Sequence, residues 1–232
     1  MKKLGIIGAM TVEVELLKEN MEAVTVSTHA GMDFCAGRLC GLDAVVVQCG
    51  VGKVNAAMCA QILCSVFGVT HLVNTGIAGS LNAALDIGDL VVSRDAMYHD
   101  FDCVHFGYEM GKVPGMDVVA FPADAAMIEL AFAAAEAVNP GHTQVARVAS
   151  GDLFVAEKAA KNAIIEKTGA WCTEMEGDAI AQTAYRNKVP FVILRAISDK
   201  ADDSANMDYP TFERIAAHRC AAVTTALAKN LA

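Results

Sequence analysis

The sequence predicts an α/β fold: a single domain in which a central mixed, mainly parallel, twisted β-sheet is flanked by helices. Three observations lead there. Short apolar, β-branched runs alternate along the chain with longer helical patterns. Hydrophobic residues make up 54% of the 232 positions while aromatics reach only 6%, a bias toward Ala, Val, Leu and Ile that suits fully buried parallel strands and closely packed helices. Glycine, serine and acidic residues gather where the apolar runs end.

The elements follow in order. Leu4–Gly8 reads as the first strand and Val12–Met21 as the first helix. Val24–Arg38, containing THAGMDFCAG, breaks the alternation and reads as an inserted antiparallel hairpin. Strands are then expected at Asp43–Gly50, His71–Asn74, Asp89–Ser93, Gln144–Ser150 and Pro190–Ser198. The intervening helices are expected at Lys53–Val66, Ala123–Ala137, Ala156–Lys167, Met175–Asn187 and Tyr209–Asn230. No repeat, low-complexity tract or Pro/Gly/Ser-rich linker divides the chain, so residues 1–232 are expected to form one domain.

Composition excludes several function classes. The net charge is -9 and no Lys/Arg run occurs, which argues against a nucleic-acid partner. The eight cysteines form no Cys-x-x-Cys and match no zinc spacing, so they read as buried reduced thiols and no metal is expected. The N-terminal MKKLGIIGAM lacks a full signal-peptide pattern, and no segment reaches the ~20 apolar residues of a membrane span. No membrane partner is expected, and the cytoplasm is the default compartment. Gly5 and Gly8 lack the third glycine of a dinucleotide fingerprint, and Gly50-Val51-Gly52-Lys53-Val54 lacks the spacing of a Walker loop.

In open α/β sheets ligands bind beyond the carboxyl ends of the strands. Those ends carry Gly8-Ala9-Met10, Gly50-Val51-Gly52, Thr75 to Ser80, Ser150-Gly151-Asp152 and Ser198-Asp199. Glu13 lies just beyond the first strand, where it reads either as a general base or as an acid favoured by the helix dipole. Glu174 and Glu176 lie at a strand–helix junction; they read as helix N-terminal acids or as acceptors for a sugar diol. Asp199 ends the run PFVILRAISD, where desolvation would raise its pKa and let it donate a proton; a plain strand cap is the other reading. Arg195 on the same strand can compensate nearby charge.

Taken as an ordered set, GIIGAM…EVELL, CGVGKVNAA, VNTGIAGS, IGDLVVS, YHDFD, FGYEMGKVPG, SGDLF, EMEGDAIAQ, VPFVILRAISDKAD and DYPTFERIAA resemble the 5′-methylthioadenosine/S-adenosylhomocysteine nucleosidases of the nucleoside phosphorylase–hydrolase superfamily. The resemblance spans nearly the whole chain. It implies hydrolysis of the N-glycosidic bond of 5′-methylthioadenosine, S-adenosylhomocysteine and 5′-deoxyadenosine in methionine salvage, without a cofactor. It also implies roles. Glu13 matches the water-activating base and Asp199, assisted by Ser198, the acid at adenine N7. Glu176 matches the ribose-hydroxyl acceptor, with Met175 lining the sugar and Glu174 nearby. Phe154 matches the aromatic stacked on adenine and Val155 its backbone hydrogen-bonding partner. Met10, Val51, Ala78, Gly79 and Tyr209 match other pocket positions. Phe106, Tyr108 and Pro114 match a loop that completes the 5′ pocket of the neighbouring subunit in a homodimer.

The chain departs from the family at three places. Ile77 stands where serine is frequent, which removes a hydroxyl near the expected water. Thr11 and Val12 replace two acids ahead of the base. Tyr209 replaces phenylalanine and adds a hydroxyl near the lid over the sugar. Three alternatives are weighed. A purine nucleoside phosphorylase would need a cationic phosphate site, whereas the loop here carries Glu13. An aminodeoxyfutalosine-type nucleosidase would keep the same carboxylates, and a non-catalytic nucleoside-binding protein would lack turnover.

Overall fold

The structure, a computed structural model, describes residues 2–202 and 205–232, with residues 205–207 described by their backbone alone. Strand β1 (Lys3–Gly8) leads into helix α1 (Thr11–Glu19). Three strands follow: β2 (Met21–His29), β3 (Met32–Leu39) and β4 (Leu42–Gln48). They pair antiparallel in sequence, so the expected hairpin is the outer part of a three-stranded meander, and Met21 opens a strand instead of closing α1. Then come α2 (Lys53–Ser65), β5 (His71–Ser80), β6 (Leu90–Tyr98), the two-residue β7 (Phe121–Pro122) and α3 (Ala125–Val138). The chain ends with β8 (Thr143–Ser150), α4 (Lys158–Thr168), β9 (Cys172–Glu174), α5 (Gly177–Asn187), β10 (Phe191–Asp199) and α6 (Ala205–Leu231).

The strands form one mixed sheet in the order β10-β6-β8-β9-β5-β1-β4-β3-β2. Parallel ladders join β4, β1, β5 and β10, and also β6, β8 and β9. Because β10 pairs β5 as well as β6, strands β5, β9, β8, β6 and β10 close into a ring, from which β1, β4, β3 and β2 extend.

Alternation along the inner strands sorts side chains to two faces. Ile7, Val45 and Val47 pack with Ala56, Leu63 and Ile180 of α2 and α5. Leu4, Ile6, Ala44 and Val46 pack with Ala131 and Leu227 of α3 and α6. Each fully buried Leu or Ile contributes about 1.5–3 kcal/mol, so both faces hold the sheet firmly. Among the described residues, no helix is long and apolar enough to cross a membrane.

One irregularity positions everything that follows. β5 pairs with β1 only from His71 to Asn74, then takes up β9 at Gly79 and Ser80. Between these ladders its edge is open, and a fork forms at the carboxyl end of β1. This is a switch point of the kind where α/β sheets bind ligands.

Candidate active site

A cavity of about 430 Å³ opens at this fork. It is lined by Met10, Glu13, Val51, Ala78, Gly79, Phe154, Glu174, Met175, Glu176, Ser198, Asp199 and Tyr209, all singled out from the sequence. Ala9, Ile77, Thr173 and Pro210 also line it. Ile77 is the position where the family frequently has serine and Ala9 lies in a strand end already marked, whereas Thr173 and Pro210 carried no distinguishing signal in the sequence. Val155 lies against an adjoining recess with Phe154, Met175 and Asp199.

Glu13 is the third residue of α1 and is 2% exposed. Its Oε2 accepts the N–H groups of Ala9 (2.6 Å) and Met10 (3.0 Å), as a glutamate does when it reaches back over a helix start. Its Oε1 accepts the N–H of Ile77 (3.1 Å), the group that the fork in β5 leaves without a strand partner. Burial raises its pKa; Arg195 and the three N–H groups oppose that shift. Gly76 is required beside it: a Cβ there would collide with both Glu13 and Arg195.

Asp199 ends β10 and is 2% exposed. Its Oδ1 accepts the Ala201 N–H (2.7 Å), and its Oδ2 accepts the Ser198 hydroxyl (2.8 Å). Burial raises its pKa, the two hydrogen bonds oppose the shift, and the charges of Asp208 and Asp202 reinforce it. Asp199 sits against Gly79, 2.8 Å from where a Cβ would lie. Gly79 lies three residues along β5 from the Gly76 that adjoins Glu13, a span of about 10 Å. The two carboxyls therefore face the cavity from separated ends.

Glu174 and Glu176 divide the remaining work. Glu174 is saturated: it takes the Ser150 hydroxyl on one oxygen and the Arg195 guanidinium on the other. It also accepts the N–H groups of Glu176 (3.0 Å) and Gly177 (2.7 Å) at the start of α5. Glu176 accepts the Gly52 N–H on Oε1 (2.8 Å), while its Oε2 lies 3.8 Å from Arg195. That oxygen remains able to accept further donors from the cavity. Burial, followed by repulsion from Glu174, pushes the Glu176 pKa up to about 7.

Arg195 does not line the cavity. It lies behind the carboxylates, 1% exposed, bonded to Asn74 and Glu174 and 4.0 Å from Glu13. It neutralises the acidic cluster and is not placed to touch a ligand. Phe106, Tyr108 and Pro114 are also away from this chain's own cavity: Phe106 is 82% exposed, at the end of a 3₁₀ turn, and Tyr108 and Pro114 are exposed too. Tyr209 meets Phe154 edge to face at 5.5 Å over the rim. Its hydroxyl is within reach of Glu213 (3.1 Å) and of Met10 Sδ (3.3 Å), another residue of the cavity wall. Ile77, 6% exposed, presents an alkyl wall beside Glu13. Among the described residues, no cluster of three or more His, Cys, Asp and Glu side chains is placed to hold a metal.

The chain that carries this fork, these two desolvated carboxyls and this aromatic rim matches a known class. The model of the phosphorylase superfamily matches residues 3–229. The 5′-methylthioadenosine/S-adenosylhomocysteine nucleosidase of Chromohalobacter salexigens is 38% identical over 232 residues, covering 100% of this chain and 98% of its own. A solved nucleosidase of the same name from Neisseria meningitidis, in complex with methylthio-immucillin-A, superposes with a TM-score of 0.96 at 35% identity over 99% of this chain and 100% of its own. A Helicobacter pylori futalosine hydrolase superposes with a TM-score of 0.94 at 28% identity, over 99% of this chain and 100% of its own. The chain belongs to the phosphorylase superfamily and, within it, to the 5′-methylthioadenosine/S-adenosylhomocysteine nucleosidases.

Proposed function

We propose that the protein hydrolyses the N-glycosidic bond of 5′-methylthioadenosine and S-adenosylhomocysteine, releasing adenine and the 5′-thioribose. The observation that carries this reading is the pair of buried carboxyls, Glu13 and Asp199, at separate ends of one cavity with no lysine or arginine among the described residues that line it. Cleavage builds positive charge on the sugar, as in other glycoside hydrolysis. Asp199, whose pKa burial raises, donates its proton to adenine N7 so that the base leaves neutral. Glu13, whose ionised form three N–H donors and Arg195 favour against burial, takes a proton from water as the water attacks the sugar carbon. Glu176 accepts the ribose hydroxyls on its open oxygen, and those bonds strengthen as charge develops. Phe154 stacks on adenine beside the Val155 backbone, and Met175 lines the sugar.

The lining speaks against phosphorolysis, because among the described lining residues a phosphate dianion would meet Glu13 and no cation. The reading also includes a cytoplasmic homodimer in which Phe106, Tyr108 and Pro114 close the partner's 5′ pocket. Its support is the exposed apolar turn formed by Val104, Phe106 and Tyr108, a surface of the kind that marks interfaces. The test is adenine release in phosphate-free buffer from 5′-methylthioadenosine, S-adenosylhomocysteine and an aminodeoxyfutalosine-type nucleoside. Release from the first two supports the reading. A requirement for phosphate would make the protein a phosphorylase, and turnover of the third alone would align it with its futalosine hydrolase relative.

A further inference from the structure

Three segments of the chain contain charged residues that the proposed chemistry does not use: Lys53 in CGVGKVNAA, Asp100 in YHDFD and Asp152 in SGDLF. The structure brings them together beside the cavity. Lys53 Nζ lies 2.6 Å from Asp100 Oδ2 and 3.7 Å from Asp152 Oδ2. Asp100 Oδ2 accepts the Asp152 N–H at 2.9 Å, and Asp152 Oδ1 accepts the Lys53 N–H at 2.9 Å. Lys53 Nζ also lies 5.5 Å from the centre of the Tyr98 ring. Hydrogen bonding and charge from Lys53, with the Asp152 N–H, hold the Asp100 carboxyl below its ordinary range against its own burial.

The residue that starts α2 explains what this cluster does. Its cap is Gly52, which has no side chain to satisfy the first N–H groups of the helix. Gly52 also has φ +99, a conformation that other residues rarely adopt. Asp152, carried by the loop after β8, supplies the missing acceptor from across the cleft. The N–H of the same Gly52 is the donor that pins Glu176 Oε1 at 2.8 Å. A cap provided by one loop therefore sets the donor that orients a carboxylate on another.

We propose that Asp152 is a positioning residue for Glu176: it caps α2 from a distant loop and, braced by Lys53 and Asp100, holds the Gly52 N–H where it aims Glu176 at the ribose hydroxyls. This inference rests on the nucleosidase reading for the role of Glu176. It also makes the YHDFD and SGDLF segments parts of one brace, separate from the aromatic Phe154 that follows Asp152 by two residues.

The experiment uses the full-length protein with Asp152→Ala and Asp152→Asn. It measures kcat/KM for 5′-methylthioadenosine and, separately, the Kd of free adenine, which has no sugar. Asp152→Ala should lower kcat/KM about tenfold, the size expected from losing a cap and loosening the donor behind it. Adenine affinity should be unchanged. Asp152→Asn should recover most of the activity, because its amide oxygen still accepts the Lys53 N–H. Equal losses for nucleoside and adenine would show that Asp152 acts by placing the Phe154 loop and would overturn the proposal. So would an alanine variant with unchanged kcat/KM, or an asparagine variant as impaired as alanine. If the parent releases no adenine from the nucleoside, the nucleosidase reading itself fails. The affinities for nucleoside and adenine, compared in the same variants, then decide the positioning role alone.

Discussion

The two ends of the cavity present the same functional group in opposite surroundings. At the β1 end, Glu13 receives three backbone N–H groups and has Arg195 behind it. At the β10 end, Asp199 receives one backbone N–H and one hydroxyl, and the charges nearby are the carboxylates of Asp202 and Asp208. Burial pushes both pKa values up. What opposes burial differs: fixed dipoles and a cation at one end, far less at the other. Two carboxyls whose surroundings pull them apart can be assigned as base and acid. The sequence offers Glu13 as base and Asp199 as acid, and the hydrogen bonds supply the physical difference between them.

The largest expected effect comes from removing the anion at the first end. Glu13→Gln should lower kcat by about 10²–10⁴-fold, the usual range for a general base, while nucleoside binding remains measurable by calorimetry. Turnover near that of the parent would leave the comparison without its basic half.

At the other end the effect should depend on the substrate. Asp199→Asn should lose turnover far more than binding with 5′-methylthioadenosine, by about a hundredfold or more. The loss should shrink for an analogue whose leaving group departs without protonation. Equal losses on both substrates would make Asp199 structural.

The pH profile of kcat/KM sharpens the contrast at lower cost in rate. Activity should rise with pH as Glu13 ionises and fall as Asp199 loses its proton, with both limbs above the ordinary carboxylate range. Residual activity of Glu13→Gln should lack the rising limb, and that of Asp199→Asn the falling one. A rising limb that survives in Glu13→Gln would assign it to another group, with Glu176 the first to consider.

Asp178 provides the limiting case, burial and three neighbouring carboxylates offset only by the charge of Lys53. It is fully buried at the start of α5, neither of its carboxyl oxygens has a hydrogen-bond partner among the described residues, and its pKa is raised well above 3.8. A raised folded-state pKa means that the folded protein holds a proton which the unfolded chain releases. The resulting stability is present below about pH 4 and is lost as pH rises toward the folded pKa, by up to ~1.4 kcal/mol per pH unit. Asp178→Asn has no such proton. Its Tm should therefore exceed that of the parent by a margin that grows from pH 5 to pH 8, reaching several degrees. A constant margin would mean that Asp178 is ionised in the fold.

Much of this was legible in the sequence, and the failures have physical causes. Alternating apolar runs placed the helices and most strands to within a few residues. The strand at His71 was expected to stop at Asn74 because Thr75-Gly76-Ile77-Ala78-Gly79-Ser80 reads as a loop, yet β5 continues through it. Glycine weakens an isolated strand, but here Gly76 and Gly79 make room for Glu13, Arg195 and Asp199. The three-residue β9 was missed because so short a segment has no period to detect. With both features unseen, the closing of the ring was unseen too. Chemistry-bearing residues were easier to find, since Glu13, Glu176 and Asp199 end up on one cavity. The difference between Glu174, fully occupied, and Glu176, still open to the cavity, was not readable, because it depends on Ser150, Arg195 and Gly52 from distant parts of the chain.

The fork in β5 also governs how a molecule gets in and out. β10 runs along one edge of β5, and β1, Glu13 and β9 succeed one another along the other. The floor of the cavity is thus anchored on both sides and has no freedom to slide aside. The rim is different in kind: Phe154 and Tyr209 meet only edge to face, an interaction worth about 0.5–1.5 kcal/mol. Parting two such rings is a small obstacle beside the burial of a nucleoside. The entrance is therefore a light door set in a rigid frame.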